Sequence, residues 1–260
     1  MNVRKFTLIT GASSGIGAKT AETLVRSSDI ILWGQNTERL QKVKESCSAI
    51  RNCTSIKNKF IEPLIVSHDL SNVDGIQEAL AKILQQNNKN NERFVIDKFV
   101  HCAGSCSIAG VKSYNHEQIL EMMNINLFSA MEITKHLVRK KTNNKALENV
   151  VFISSTYAKC GGAGHSFYGA TKAAINSYMK SVAKELAPKV RCNSILPGGV
   201  KTAMSQSFFA NEELVKQGLK DYPLGFGETS DIANMIEFLL CEKARWITGQ
   251  ELIVDGGFSI

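Results

Sequence analysis

Tyr168 and Lys172 stand four residues apart, and Ser155 lies thirteen positions before the tyrosine. On a helix, residues i and i+4 share a face, so a helix beginning near Tyr168 brings the ammonium toward the phenol. A free tyrosine titrates near ~10. A neighbouring positive charge favours the phenolate and lowers that value, giving an acid for carbonyl reduction or a base for alcohol oxidation. Ser155 follows the apolar run Val150-Val151-Phe152-Ile153. There its hydroxyl can hold a substrate oxygen and stabilise the charge that develops on it. Tyrosine and lysine at this spacing recur by chance in many helices, so the pair gains meaning only from the rest of the chain.

The other end of the chain offers a seat for a pyrophosphate. Thr10-Gly11-Ala12-Ser13-Ser14-Gly15-Ile16-Gly17 follows the apolar strand Phe6–Ile9 and opens an amphipathic stretch from Ile16 to Val25. Glycines there permit a tight turn and close backbone approach, and the helix start presents free N–H groups with a favourable dipole. The spacing is Gly-x-x-x-Gly-x-Gly rather than the commoner Gly-x-Gly-x-x-Gly, so the strand–turn–helix setting carries the reading. Asp69, followed by Leu70, ends a third strand, where a carboxylate can accept from an adenine amino group. Capping the helical segment 73–84 is the competing role, and the two can use different oxygens. The second strand ends in Trp33-Gly34-Gln35-Asn36, without the acid that grips the ribose diol of NAD. That absence points to NADP over NAD, although no arginine occupies the position and Arg39 either reaches in or decorates a helix.

Composition narrows the function classes. The 260 residues are 43% hydrophobic, ordinary for a chain with a substantial core. No apolar run approaches the ~20 residues of a membrane span, and the first strand begins at Val3, so a soluble cytoplasmic protein without a cleaved signal peptide is expected. The seven cysteines include no Cys-x-x-Cys pair and the five histidines no His-x-x-x-His pair, which disfavours a disulfide framework and a metal centre. The net charge of +7 collects partly in Arg139-Lys140-Lys141 and in Lys180, Lys184 and Lys189. These form a solvated helix face or a surface for an acidic partner; without interleaved aromatics they do not suggest nucleic acid.

Strand-like and helix-like patterns alternate throughout. Strands are expected at 30–33, 64–66, 99–100, 150–153, 190–196 and 252–254 after the first, with helices over 38–50, 73–84, 118–139, 168–187 and 230–240. Near-continuous apolar strands between helices imply a mostly parallel sheet covered on both faces. Asn87 to Asn91 reads as a surface loop or helix end. With neither linker nor repeat, the chain is expected to form one doubly wound α/β domain of seven strands over 1–260, its ligand at the carboxyl ends of the strands.

Taken together, these residues resemble the short-chain dehydrogenase/reductase family in its compact single-domain form. The resemblance spans the chain: Thr10 to Gly17, Asp69, Cys102-Ala103-Gly104, Asn126, Ile153-Ser154-Ser155, Tyr168 to Lys172, Pro197-Gly198-Gly199-Val200-Lys201-Thr202, Thr248-Gly249-Gln250 and Asp255-Gly256-Gly257. It implies Tyr168 as general acid/base, Lys172 as holder of the nicotinamide ribose, Ser155 as orienter of the carbonyl, and Asn126 as anchor of a proton-relaying water, with Asn124 a nearby rival. Val200 and Thr202 would grip the carboxamide, while Pro197, Gly198 and Cys102 to Gly104 line the cofactor. Cys102 stands where the family usually has asparagine, so local strand support is expected to differ. The pattern is most similar to 3-oxoacyl-[acyl-carrier-protein] reductases, which implies a carrier-linked substrate received by Lys141, Lys184 and Lys189. The alternatives are a dehydrogenase of a sugar or steroid-like alcohol, and a catalytically silent nucleotide-binding regulator. A substrate-covering segment is expected at about 203–222, using Met204, Phe208, Phe209, Leu214 and Leu219. His165, three residues before Tyr168, is expected to face the pocket, with no chemistry assigned to it. Homotetramers or homodimers packed through the helices at 118–139 and 168–187 and the C-terminal strand are also implied.

Overall fold

The computed structural model describes residues 2–53, 60–85 and 92–260. The Asn-rich stretch 87–91 lies outside the described residues. Seven strands, β1 (Val3–Thr10), β2 (Asp29–Gly34), β3 (Leu64–Ser67), β4 (Arg93–His101), β5 (Asn149–Ile153), β6 (Arg191–Pro197) and β7 (Glu251–Val254), form one sheet in the order β3-β2-β1-β4-β5-β6-β7. Every pairing is parallel. Strand order reverses between β1 and β4, and it is outside such a reversal that doubly wound sheets bind their ligands.

The helices are α1 (Gly15–Leu24), α2 (Thr37–Asn52), α3 (Ile76–Leu84), α4 (His116–Met123), α5 (Ser129–Leu137), α6 (Lys140–Asn143), α7 (Tyr157–Cys160), α8 (Ser166–Leu186), α9 (Gln206–Phe209), α10 (Glu212–Gly218) and α11 (Thr229–Leu240). Successive strand residues feed opposite cores. Leu8, Ile31, Val150 and Phe152 pack with residues of α3, α5 and α8. Ile9, Leu32, Val151 and Ile153 pack with residues of α1, α2 and α11. Two buried faces explain why the strands read as unbroken apolar runs rather than alternating ones.

Two departures bear on the site. β4 begins at Arg93, six residues before the expected Phe99, because Asp97 and Lys98 break its apolar run. The register shifts there: Phe6 pairs with Ile96 but Thr7 with Lys98, leaving Asp97 in a bulge. The expected helix over 118–139 is interrupted by a π-helical turn at Asn124–Phe128 between α4 and α5.

Candidate active site

A cleft of about 690 Å³ runs along the carboxyl ends of the strands, from the glycine turn after β1 to the rings of Phe226 and Phe258. Gly11 has φ +64°, and a Cβ there would lie 2.7 Å from the backbone nitrogen of Ala103. Only glycine lets this turn adopt that conformation against the end of β4. A Cβ on Gly17 would meet the Gly11 carbonyl oxygen at 2.3 Å, so the missing side chain seats α1 directly on the turn. The first turn of α1 carries neither a side-chain cap nor an acid. Its amide N–H groups face the cleft unpartnered by side chains, as an anion seat requires. The cradle, the uncapped helix and the long cleft fit a dinucleotide. Ser13, Ser14, Gly15, Ile16 and Gly17 line its phosphate end, and Gln35, Asp69 and Leu70 the far end. Cys102 to Gly104, Pro197, Gly198, Val200 and Thr202 line its reactive end.

Several expected cofactor residues have other tasks. Asn36 does not line the cleft; its side chain caps α2 by accepting the Arg39 N–H at 2.9 Å. Arg39 does not line it either. Gln35 donates to Asp69 at 2.7 Å, and the other Asp69 oxygen accepts the Ser71 N–H at 2.9 Å. The cap before α3 belongs to Asn72, which accepts from Gly75, so the helix-capping role considered for Asp69 is not the observed one. Gly34 and His68 also line this end, unannounced by any motif.

At the opposite end, β5 delivers Ser154 and Ser155 while the start of α8 delivers Tyr168 and Lys172. The two elements are sewn together: Ser154 Oγ donates to the Lys172 carbonyl at 3.0 Å, and Lys172 Nζ donates to the Ile153 carbonyl at 2.9 Å. Ser155 Oγ accepts the Tyr157 N–H at 3.2 Å. Its hydroxyl proton is then available to Tyr168, toward which it acts as a hydrogen-bond partner that lowers the phenol's pKa.

Electrostatics correct one expectation. The Tyr168 pKa is raised above its ordinary value, first by burial and then by the proximity of Cys106, and Lys172 does not figure among the causes. The ammonium lies 5.7 Å from the ring centroid and is spent on Ile153, with its own pKa lowered to about 8 by burial. Spacing places the lysine beside the ring correctly, but desolvation outweighs its influence. The phenol is therefore held protonated.

Asn126 sits fully buried inside the π-helical turn. Its amide accepts from Ser105 N–H at 2.7 Å and donates to the Ser105 carbonyl and to Thr171 Oγ1, both at 2.9 Å. Gly104 passes between this amide and the lysine: a Cβ there would lie 3.4 Å from Asn126 Oδ1 and 3.2 Å from Lys172 Nζ. Asn124, the rival, points elsewhere and donates to the Ser71 carbonyl at 3.1 Å. A wide turn displacing one residue commonly marks a functional position. Where the family usually carries asparagine, Cys102 is a half-buried residue whose thiol pKa desolvation pushes up to about 12. Support comes instead from Thr10, whose hydroxyl bonds His101 Nδ1 at 2.9 Å and accepts the Ala103 N–H at 3.4 Å.

The segment over 203–222 folds across the cleft through α9 and α10. Met204, Phe208 and Phe209 line it, whereas Leu214 and Leu219 do not and are each 44% exposed. Tyr157, Phe226 and Phe258 line it too, with no sequence signal to single them out. His165 does face the cleft, with Nδ1 bonded to the Ala163 carbonyl at 3.0 Å. The lysines expected to receive a carrier are badly placed for that purpose. Lys184 lies sixteen residues beyond Tyr168 on α8, about 24 Å along a helix rising ~1.5 Å per residue. Lys141 and Lys189 precede β5 and β6, at the amino ends of the strands and so opposite the cleft.

Comparison with known proteins agrees with this geometry. Residues 11–259 match the family described as Enoyl-(Acyl carrier protein) reductase. The chain is 32% identical to the 3-oxoacyl-[acyl-carrier-protein] reductase of Aquifex aeolicus (strain VF5) over 259 residues, covering 97% of this chain and 96% of that one. It is 27% identical to the L-rhamnose 1-dehydrogenase (NAD(P)(+)) of Azotobacter vinelandii, covering 99% and 98% of the two chains. The crystal structure of a short-chain dehydrogenase/reductase, glucose/ribitol dehydrogenase, from Brucella melitensis superposes with a TM-score of 0.83 at 26% identity, covering 100% of both. The chain belongs to the short-chain dehydrogenase/reductase family and is an oxidoreductase. Among the described residues no helix is long and apolar enough to cross a membrane.

Proposed function

We propose that this protein reduces a carbonyl group to an alcohol with a reduced nicotinamide dinucleotide. The observation that carries the reading is the meeting of Ser155, Tyr168 and Lys172 at the reactive end of a dinucleotide-shaped cleft. The nicotinamide, when bound, supplies the hydride. Ser155 holds the carbonyl oxygen by its hydroxyl, and Tyr168 delivers a proton to that oxygen as charge develops. Burial holds the Tyr168 phenol protonated at neutral pH, so the proton is present when the carbonyl binds. Lys172, titrating near 8, retains the charge needed to hold a ribose hydroxyl at neutral pH. Asn126 fixes Ser105 and Thr171 around the lysine and so positions the proton path. The presence of all four residues in one place argues against a silent nucleotide-binding regulator.

The cofactor reading is less one-sided than the missing acid after β2 suggests. Lys172 is the only lysine or arginine lining the cleft among the described residues, so no cation meets a 2′-phosphate. Gln35 is held by Asp69, whose carboxylate stands at the same corner. We infer that NADH and NADPH are both accepted within about tenfold of each other, NADP losing the advantage expected from sequence. A 3-oxoacyl thioester is the substrate that the Aquifex relative suggests. The test is oxidation of each reduced cofactor by a panel of ketones, acyl thioesters and sugars. Ketone-dependent oxidation is expected, and its absence with both cofactors and every carbonyl would reject the reading.

A further inference from the structure

The substrate end of the cleft is walled by one unbroken arc of rings drawn from four separate segments. His165 lies against Tyr157 with centroids 4.4 Å apart, and Tyr157 meets Phe258 at 6.4 Å. Phe258 stacks on Tyr222 at 4.9 Å, and Tyr222 meets Phe226 at 4.7 Å. Phe226 in turn packs edge-on against Phe208 at 5.5 Å and Phe209 at 5.1 Å. All seven rings line the cleft, and the arc begins 6.3 Å from the Tyr168 ring at His165.

Two polar atoms of this wall are already engaged. Tyr222 OH accepts the Gly199 N–H at 2.8 Å, and His165 Nδ1 is bound to a carbonyl. Among the described residues no arginine lines the cleft, and the single lysine that does, Lys172, is buried and bonded to Ile153. Asp221 is the one acid at this end among the described residues. A carboxylate or phosphate on the substrate finds no cation here, and a polyol would exchange water for ring faces at a loss, since buried hydroxyls need partners. Ring edges and faces arranged around an opening instead favour another ring, by offset-stacked and edge-to-face contact beyond simple area burial.

We propose that the preferred substrate is a neutral carbonyl compound carrying an apolar ring system, aromatic or fused, beside the reacting carbon, in preference to a sugar, a 2-oxo acid or a carrier-linked 3-oxoacyl chain. This rests on the carbonyl-reductase reading above and specifies its substrate class. Recognition comes from the arc, while Ser155 and Tyr168 address only the carbonyl oxygen.

The experiment compares kcat/KM of the full chain for four compounds: a bicyclic aryl ketone, the acetoacetyl thioester of N-acetylcysteamine, a ketohexose and a 2-oxo carboxylate. The bicyclic ketone is expected to exceed each of the others at least tenfold. Phe226→Leu, which keeps the site apolar but removes a ring, should cut that ratio severalfold, mainly through KM. A ketohexose or 2-oxo acid turned over faster than the bicyclic ketone overturns the proposal and leaves the reductase reading standing, as does an acyclic thioester that outperforms it. Failure to reduce any of the four rejects both readings. Thermal unfolding supplies an independent readout: the bicyclic ketone, with dinucleotide present, should raise Tm in the native chain and less in Phe226→Leu. An equal rise in both also counts against the arc.

Discussion

Replacing Asn126 by alanine tests whether the π-helical turn braces the site. The side chain makes three hydrogen bonds, to both backbone groups of Ser105 and to Thr171 Oγ1, at 2.7 to 2.9 Å with no solvent exposure. Each buried bond contributes about 1 kcal/mol net, and the stranded partners add desolvation, so the loss should be roughly 2–4 kcal/mol. For a chain of this size ~1 kcal/mol moves Tm by about 2–4 °C, which places the expected fall near 5–15 °C. The same change frees the Ser105 backbone, which lines the cleft next to Lys172, so kcat should fall more than the dinucleotide Kd rises. Asn126→Asp keeps the acceptor for Ser105 N–H but turns a carboxylate toward the Ser105 carbonyl, and should recover neither stability nor rate. The assay is thermal unfolding alongside steady-state kinetics with the best ketone. A Tm within 2 °C of the native chain together with full kcat would refute the bracing role. A lowered Tm with kcat intact would show a brace that stops short of the reacting groups.

Three further outcomes follow from particular residues. His101 is buried and held neutral, its pKa lowered by desolvation from 6.5 to about 3. A base with a depressed folded-state pKa contributes full stability above 6.5 and loses it as pH falls toward 3, with a ceiling of roughly 5 kcal/mol. Urea unfolding across this range should show the loss, and His101→Asn should flatten it; equal slopes in the two proteins would contradict the assignment. Gly11→Ala forces a Cβ to within 2.7 Å of the Ala103 backbone at φ +64°, so dinucleotide binding measured by calorimetry should vanish along with several degrees of Tm. Native-like affinity would mean the turn is not the pyrophosphate seat. Gln35→Arg adds the missing cation at the far end of the cleft and should shift the ratio of Kd values toward NADPH about tenfold, equivalent to ~1.4 kcal/mol. An unchanged ratio would place the adenosine ribose elsewhere.

The chain announces its frame plainly because the relevant signals are local. The glycine turn, the apolar runs on both faces of the sheet and the Tyr168–Lys172 spacing each depend on a few neighbouring residues. What stayed hidden depends on contacts between distant segments. Asp97 breaks the apolar run of β4, yet a bulge absorbs it without ending the strand. Asp69 reads as ligand or cap and Asn36 as a cofactor residue, and only the fold shows Asn36 spent on Arg39 and Asp69 shared between Gln35 and Ser71. Helical spacing puts Lys172 near Tyr168, but the balance between its charge and burial is set by packing that no spacing encodes. The aromatic arc joins Tyr157, Tyr222, Phe226 and Phe258 across a hundred positions of chain. Its members are common residues with no pattern of their own.

The reaction centre itself is tested most directly by Tyr168→Phe, which removes one oxygen and leaves the ring in place. Positioned proton transfer contributes about 10²–10⁴ in rate. Ketone reduction by the variant should therefore fall by at least a hundredfold while its dinucleotide Kd stays within threefold of the native value. Turnover preserved within tenfold, with the cofactor still bound, would mean that the proton comes from another group.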